Sequence, residues 1–166
     1  MGTKFNEFKN LMSHPIKFRW FLFTQLPIAF FSGVRVIKIE EDSCEVTVPY
    51  QWFSKNPFRS TYFACLSMAA EMSTGALALG HLYKINPVVS MLVVKSNSEF
   101  YKKATDITTF VCNEGLVIKQ MVAETVASGE ARTATVKSVG KNIAGEVVAI
   151  FQFTWSFKAK KLNSAF

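Results

Sequence analysis

The sequence predicts an α+β fold in which a curled antiparallel sheet surrounds one long, buried helix. Two observations lead to this prediction: an apolar helical run over residues 60–79, and flanking segments whose apolar residues alternate or run continuously, as in strands. A helix that is apolar on nearly every face must be enclosed by protein, and a single sheet encloses it only by curling. The 166 residues suffice for one domain with a substantial core.

Residues 1–32 form a Phe-rich segment, with seven phenylalanines in the first 31 positions. Its longest uncharged run, Trp20 to Val34, is shorter than the ~20 residues that a membrane-spanning helix needs. Charged side chains also interrupt any apolar core of the kind that a signal peptide requires. We expect one or two amphipathic helices, broken near Pro15 and Pro27, that pack on the domain or close a pocket. Peripheral membrane contact is the alternative.

Residues 33–158 carry the predicted curled-sheet domain. Its elements, in order, are a hairpin with strands at 34–39 and 44–50, the helix at 60–79 ended by Gly80, strands at 87–94 and 105–112, a short helix at 114–128 closed by Gly129, and a hairpin with strands at 130–139 and 146–158. In the last strand, the alternate residues Val147 to Phe157 give one strongly apolar face. Residues 159–166 form a C-terminal tail.

The predicted helix contains one carboxylate, Glu71, and no other charged residue or histidine lies between Arg59 and His81. A carboxylate in such surroundings loses hydration, which raises its pKa and makes it a better base once it ionises. It also costs stability unless something uses or satisfies it. We therefore consider Glu71 a catalytic candidate. The alternative is a structural carboxylate that accepts hydrogen bonds from backbone or hydroxyl groups.

Three residues around the start of this helix carry a family resemblance: Asn56, Tyr62 and Glu71 stand at intervals of six and nine residues. This layout resembles the hotdog-fold thioesterases of the phenylacetate-degradation and hydroxybenzoyl-coenzyme A types. Within the hotdog fold, it is most similar to a group of proteins that carry a domain of unknown function and are described as thioesterases. The resemblance covers about residues 33–158 and implies a hotdog fold.

The resemblance implies a role for each matching position. In those enzymes an Asn precedes the helix, a His-Gly pair opens it, and a carboxylate nine residues after the His is the nucleophile or general base. The matching positions here are Asn56, Tyr62 in place of His, Phe63 in place of Gly, and Glu71. The implied catalytic residues are Glu71 and Tyr62, and Asn56 and Phe63 are implied to bind substrate. We add Gly75 and the basic Lys102 and Lys103 as further substrate-binding candidates.

Nine residues at ~100° each place Tyr62 and Glu71 on opposite sides of one helix, about 13 Å apart along its axis. One helix therefore cannot bring both to one carbonyl group. In the resembled enzymes, the helix start of one subunit faces the carboxylate of the other. We accordingly expect a homodimer or a dimer of dimers.

The absent His-Gly pair leaves two functions open. The first is an acyl-CoA thioesterase, with Glu71 as base or nucleophile and helix-start N–H groups as oxyanion donors. The second is a non-catalytic protein that binds acyl-CoA or a fatty-acyl group. Tyr62 could donate through its hydroxyl but is a poor proton-transfer group, or it is an ordinary pocket-wall aromatic. The side chain of Phe63 could block approach to the neighbouring N–H.

The formal net charge of +7 predicts a polyanionic partner, or it serves solubility alone. Coenzyme A fits this charge, with Lys102 and Lys103 among the basic residues near strand ends. The sequence lacks the aromatic, helix-turn-helix and basic-run signatures of nucleic-acid binding. It also lacks metal-ligand spacing, and we expect no metal or cofactor. Three cysteines without paired spacing favour a cytoplasmic location, with Cys65 as a buried thiol rather than a nucleophile.

Overall fold

The computed structural model describes residues 2–160, with side chains from Lys4 onward. The elements are helices α1 (Gly2–Ser13), α2 (Pro15–Gln25) and α3 (Pro27–Phe31), strands β1 (Arg35–Ile39) and β2 (Cys44–Val48), helix α4 (Phe63–Leu82), strands β3 (Val89–Phe100) and β4 (Thr108–Cys112), helix α5 (Gly115–Ser128), and strands β5 (Arg132–Lys141) and β6 (Val147–Ala159). The predicted α+β class is confirmed.

The six strands form one antiparallel sheet in the order β1-β2-β4-β5-β6-β3, which curls around α4. The inner face of β6 supplies Phe151, Phe153, Trp155 and Phe157 to the core, as the alternating pattern predicts. Strand β3 pairs along its whole length with β6 and forms one edge of the sheet. It extends to Phe100, six residues beyond the predicted strand end, because β6 provides partners for its polar second half.

Helix α4 starts one residue after Tyr62, and twelve of its twenty residues are buried. The prediction that Gly80 ends this helix is wrong, because the helix continues to Leu82. Gly80 instead lies under Phe5 of α1, where a Cβ atom would stand 2.4 Å from Cε2 of that ring. α4 is also the one helix among the described residues long and apolar enough to cross a membrane, and two-thirds of its apolar window is buried inside the protein.

Two polar contacts tie α4 to the sheet. The hydroxyls of Ser73 and Ser138 on β5 share a hydrogen bond of 2.7 Å inside the core. The indole N–H of Trp155 donates to the hydroxyl of Thr74 at 3.0 Å, and this hydroxyl donates to the carbonyl oxygen of Glu71 at 2.9 Å. These contacts satisfy the few polar groups that an otherwise apolar helix buries.

The N-terminal segment forms three short helices rather than the expected one or two, because two prolines divide it. These helices pack on the curled-sheet core through Phe5, Phe18, Leu22 and Ala29. The predicted breaks are confirmed, since Pro15 and Pro27 are each the first residue of a helix, where a missing N–H costs nothing. The predicted packing against the domain is also confirmed.

The predicted helix before the last hairpin is confirmed as α5. It ends at Gly129, whose φ of +72° is the left-handed geometry that favours glycine after a helix. Its first residue, Gly115, lies so close to the β1–β2 turn that a Cβ there would meet the carbonyl oxygen of Glu41 at 2.3 Å.

Candidate functional site

Glu71 lies in a cavity of about 410 Å³ between the N-terminal helices and α4. Helices α1 and α2 form its outer wall, and α4 forms its inner wall with Met72, Gly75 and Ala76. The other lining residues are almost all apolar and include Phe8, Leu11, Met12, Phe18, Phe21, Leu22, Leu26, Leu79, Tyr83 and Met91. The prediction that the N-terminal segment closes a pocket is therefore confirmed.

The carboxyl group of Glu71 is partly buried and accepts no hydrogen bond from any described residue. Burial raises its pKa above the usual value of 4.5, because an ionised carboxylate loses hydration there. Lys17 of α2 lines the same cavity but forms no ion pair with Glu71 within 4.0 Å. The structural alternative, a carboxylate satisfied by hydroxyl or backbone donors, therefore has no support among residues 2–160. Glu71 retains both of its carboxyl oxygens for chemistry in the cavity.

Gly75 and Trp155 form the floor beneath this carboxylate. A Cβ on Gly75 would stand 3.0 Å from Glu71 Oε1 and 3.3 Å from Cζ2 of the Trp155 ring. The missing side chain therefore creates the space that the carboxylate occupies. The hydrogen bond from the Trp155 indole to the Thr74 hydroxyl fixes the position of this ring. Trp155 and Thr74 were not among the site residues predicted from the sequence, although the alternating pattern of β6 places the Trp155 side chain inward.

The start of α4 presents unpaired backbone donors. Tyr62 is the N-cap residue without a side-chain cap, and its carbonyl accepts from the N–H groups of Cys65 and Leu66. The N–H groups of Phe63 and Ala64 have no backbone acceptor among the described residues. Two free N–H groups at the positive end of a helix dipole can hold an oxyanion. The side chains of Tyr62 and Phe63 are both about half exposed and contact each other edge to face.

A second cavity, of about 330 Å³, lies beside this helix start. Asn56, Phe63, Lys102 and Lys103 all line it. The Asn56 carboxamide accepts from the N–H of Phe58 at 2.9 Å and donates to the Ser60 hydroxyl at 3.1 Å, so this side chain shapes the loop.

The two lysines of this second cavity sit at the end of β3 and are exposed at its rim. The Lys102 ammonium forms an ion pair with Glu146, and that of Lys103 donates weakly to the carbonyl oxygen of Phe58 at 3.5 Å. Both ammonium groups are exposed and could turn toward a ligand phosphate.

The structure thus divides the predicted site residues into two groups. Glu71 and Gly75 share the first cavity, while Asn56, Phe63, Lys102 and Lys103 share the second. Tyr62 lines neither cavity. The separation agrees with the helical spacing, which places the helix start and the carboxylate on opposite sides of α4.

Other candidate groups are engaged elsewhere. Cys65 is buried, and its thiol lies 3.6 Å from the hydroxyl of Ser32. His81 contacts the carbonyl oxygen of Glu41 at 2.9 Å and packs against Phe5, away from both cavities. Among the described residues, no cluster of three His, Cys, Asp or Glu side chains could hold a metal ion.

No protein-family model and no curated protein matches the sequence. Solved structures match over nearly the whole chain. A Pseudomonas aeruginosa protein of unknown function, named as a probable thioesterase, has 22% identity and a TM-score of 0.72, over 90% of this chain and 99% of its own. A thioesterase from Haemophilus influenzae has 10% identity and a TM-score of 0.60, over 97% and 94%.

A Chlorobaculum tepidum protein of unknown function is also similar, with 15% identity and a TM-score of 0.74, over 87% of this chain and 94% of its own. At identities this low, the structural similarity establishes the fold but not the activity. The curled antiparallel sheet, the enclosed helix and these neighbours together identify the fold as the hotdog fold, the fold of the thioesterases to which this chain is similar.

Proposed function

We propose that the protein is an acyl-CoA thioesterase whose active site forms between two copies of the chain. The observation that carries the proposal is the carboxyl group of Glu71, which lies in an apolar cavity without a hydrogen-bond donor or cationic partner among residues 2–160. A buried carboxyl group without a partner lowers the stability of the fold, and carboxyl groups with a raised pKa in a cavity are typical of catalytic bases.

The first cavity suits an acyl chain. A water molecule takes up about 30 Å³ of liquid, and a methylene group is of similar size, so 410 Å³ accommodates roughly a dozen heavy atoms. The wall is almost entirely aliphatic and aromatic, with three methionines, on α1, α4 and β3, that can adapt to different chains. We therefore propose that the first cavity holds a medium-length or aromatic acyl group of the substrate.

The chemistry we propose is hydrolysis of the thioester. Ionised Glu71 takes a proton from water, the water oxygen attacks the carbonyl carbon, and the C–S bond breaks as the thiolate leaves and takes up the proton. The N–H groups of Phe63 and Ala64 from the second subunit stabilise the oxyanion. Direct attack by the Glu71 carboxylate, followed by hydrolysis of the resulting anhydride, is the covalent form of the same reaction.

The edge strand β3 supports the proposed homodimer. It is twelve residues long, and its outward-facing Leu92 and Val94 are both more than half exposed. A long edge with exposed apolar side chains is open to pairing with a second chain. Pairing of β3 with its copy would extend the sheet across a two-fold axis.

The second cavity is the proposed site for the coenzyme A head group. Lys102 and Lys103 supply positive charge beside the helix start, where phosphate groups would be attracted. Replacing both lysines with glutamate should raise KM for an acyl-CoA and leave KM unchanged for the matching N-acetylcysteamine thioester, which has no phosphate. Equal effects on both substrates would contradict this placement.

The test of the function is release of free thiol from short, medium, long and aromatic acyl-CoAs by the wild type and by Glu71→Gln. The substitution keeps the shape of the side chain and removes the base, so we expect a rate loss of about 10²–10⁴-fold. Circular dichroism and sedimentation establish that the variant still folds and associates. Undiminished hydrolysis by this variant would move the chemistry to another residue.

A non-catalytic acyl-CoA or fatty-acyl binding protein is the second candidate. The observation that favours it is the side chain of Phe63, which lines the second cavity next to the proposed oxyanion donors. If Phe63 blocks the carbonyl, wild type binds acyl-CoA with no thiol release, and Phe63→Gly restores turnover. Calorimetric binding together with the thiol assay separates the two functions.

A further inference from the structure

We infer that α2, α3 and the turn at residues 51–53 form a docking surface for a bilayer of anionic phospholipid. The inference is independent of the proposed thioesterase activity. It rests on three observations: a continuous patch of exposed aromatic rings, a local excess of unpaired basic side chains, and an orphaned guanidinium nitrogen beside the patch.

The aromatic patch consists of Trp20, Phe23, Phe31, Phe53 and Trp52, in which each ring contacts the next. The successive centroid distances are 5.8, 6.3, 5.6 and 4.8 Å. These side chains are between 44% and 70% exposed. Ile28, next to Phe31 and Phe53, is 69% exposed and adds to this apolar surface, and Ile16 at the start of α2 is 75% exposed. Exposed apolar patches of this kind mark contact surfaces, and tryptophan is favoured where water meets lipid.

The two chain segments that form the patch carry charge of one sign. Between Glu7 and Glu40 the chain has five basic residues and no acidic one, and between Glu45 and Glu71 it has Lys55 and Arg59 and no acidic one. Lys17, Arg19, Arg35 and Lys55 form no ion pair within residues 2–160. Lys55 also lies over the ring of Trp52, at 6.0 Å. Basic side chains next to exposed aromatics match an anionic membrane surface.

The third observation is at Arg19. Its guanidinium lies 4.1 Å from the ring centre of Phe30, which contacts Phe23 of the patch. Its Nη1 atom is buried and has no hydrogen-bond acceptor among the described residues. Arg19 lines a groove of about 380 Å³ together with Arg35 and Lys38. The ammonium group of Lys38 lies 3.8 Å from the carboxylate of Glu45. A buried donor left without an acceptor is costly, and a lipid phosphate oxygen would satisfy it.

A second copy of this chain fits the same surface poorly. A two-fold contact between identical patches would bring the unpaired Lys17, Arg19 and Lys55 of both copies together without a compensating carboxylate. An anionic bilayer instead supplies the missing negative charge along with an apolar interior.

The docking surface lies next to the first cavity. Phe21 of α2 and Leu26, between α2 and α3, line that cavity and are each more than 40% exposed, so the cavity wall reaches the surface next to the patch. A protein docked in this way would hold the cavity against the bilayer, where acyl groups are concentrated.

The experiment is co-sedimentation of the full chain with vesicles of phosphatidylcholine alone or mixed with phosphatidylglycerol. We expect binding to the mixed vesicles that weakens as salt is raised. The double variant Trp20→Ser/Trp52→Ser should lower partitioning at least tenfold, since two indole rings lose their apolar burial in the bilayer. Arg19→Gln should lower it about fivefold, the value of one cation near an anionic surface. Ile143→Ser, at the exposed tip of the last hairpin, is the matched control and should bind like wild type.

Four results would overturn the inference. One is absence of binding to either kind of vesicle. Another is unchanged binding by the tryptophan variant when circular dichroism shows it is folded. The third is a smaller oligomer for this variant in sedimentation, which would assign the patch to contact between copies. Saturable binding of inorganic phosphate without vesicle binding would likewise reduce the Arg19 groove to a site for a free anion.

Discussion

Gly75 holds open the space that the Glu71 carboxylate occupies: a Cβ on the glycine would stand 3.0 Å from Glu71 Oε1. Both residues belong to one turn of α4, and the Trp155 ring closes the other side. The direction of the carboxylate is therefore set by a missing side chain.

Gly75→Ala should displace the carboxylate by a few tenths of an ångström. Alanine favours the helix by ~1 kcal/mol, which offsets the close contact, so we expect little change in Tm. A misplaced base should lower kcat about tenfold, given that an error of 1 Å can cost ~10²-fold. Steady-state kinetics and thermal unfolding measure both quantities. An unchanged kcat would mean that the position of Oε1 does not limit the reaction.

Glu71→Gln should stabilise the protein increasingly as the pH rises. Below pH 4.5, the usual pKa, the carboxyl group is protonated in both the folded and the unfolded chain. Above it, the unfolded chain releases the proton first because the folded pKa is raised, and stability falls until the folded pKa is passed. The glutamine variant does not lose stability in this way, because its side chain does not ionise. Denaturant unfolding across this range should show the difference, and Glu130→Gln at an exposed site should not.

Gly80→Ala should loosen α1 from α4. The new methyl group would meet the Phe5 ring at 2.4 Å, and overpacking of this kind costs ~1–3 kcal/mol. In a Phe5→Leu background the smaller side chain leaves room for the methyl, so the same change should cost much less. A double-mutant cycle by denaturant unfolding gives the coupling between the two positions. Additive effects would show that Phe5 does not restrict Gly80.

Val94→Lys should weaken the proposed dimer. A lysine on the edge strand β3 opposes pairing between two strands and adds repulsion across a two-fold axis. Analytical ultracentrifugation should show a shift toward monomer, with loss of thioesterase activity if the site needs both subunits. Ile143→Lys on the exposed hairpin tip adds the same charge and should leave association unchanged. A Val94→Lys variant that associates normally would exclude β3 as the contact.

Ala76→Leu should shorten the acyl chain that the first cavity accepts. Ala76 is buried in the cavity wall one residue beyond Gly75, and leucine adds three carbon atoms to a space of about 410 Å³. We expect kcat/KM to fall about tenfold for the longest accepted acyl-CoA and to change little for a short one, since each buried methylene contributes ~0.8 kcal/mol. A uniform loss over the series would place the chain elsewhere.

The sequence was sufficient for the fold class because its strongest signals are local. Proline at positions 15 and 27 sets the breaks between the N-terminal helices, Gly129 closes α5, and the alternation in β6 sets its inner face. The length of β3 could not be predicted, because its polar half is a strand only through its pairing with β6. Gly80 failed as a helix-end signal because the contact with Phe5, distant in sequence, requires glycine there.

The candidate site shows the same division. Glu71 was identifiable as an isolated carboxylate in an apolar run, and the helical spacing separated it from Tyr62. The cavity around it could not be predicted, because its walls come from α1 and α2, whose packing direction depends on tertiary contacts. Nor did the pattern reveal that Lys102 is paired with Glu146.

The hydrogen bond between Ser73 and Ser138 has a further consequence for specificity. A helix of alanine, leucine and methionine inside a curled apolar sheet has many rotations of nearly equal energy. The hydroxyl pair, 2.7 Å apart, distinguishes among them, because any other rotation would leave the buried Ser138 hydroxyl without a partner, while Ser73 would keep its bond to the carbonyl oxygen of Ala70. Together with the bond from Trp155 to Thr74, this contact on the side of α4 that faces the sheet favours the orientation in which Glu71 points into the cavity.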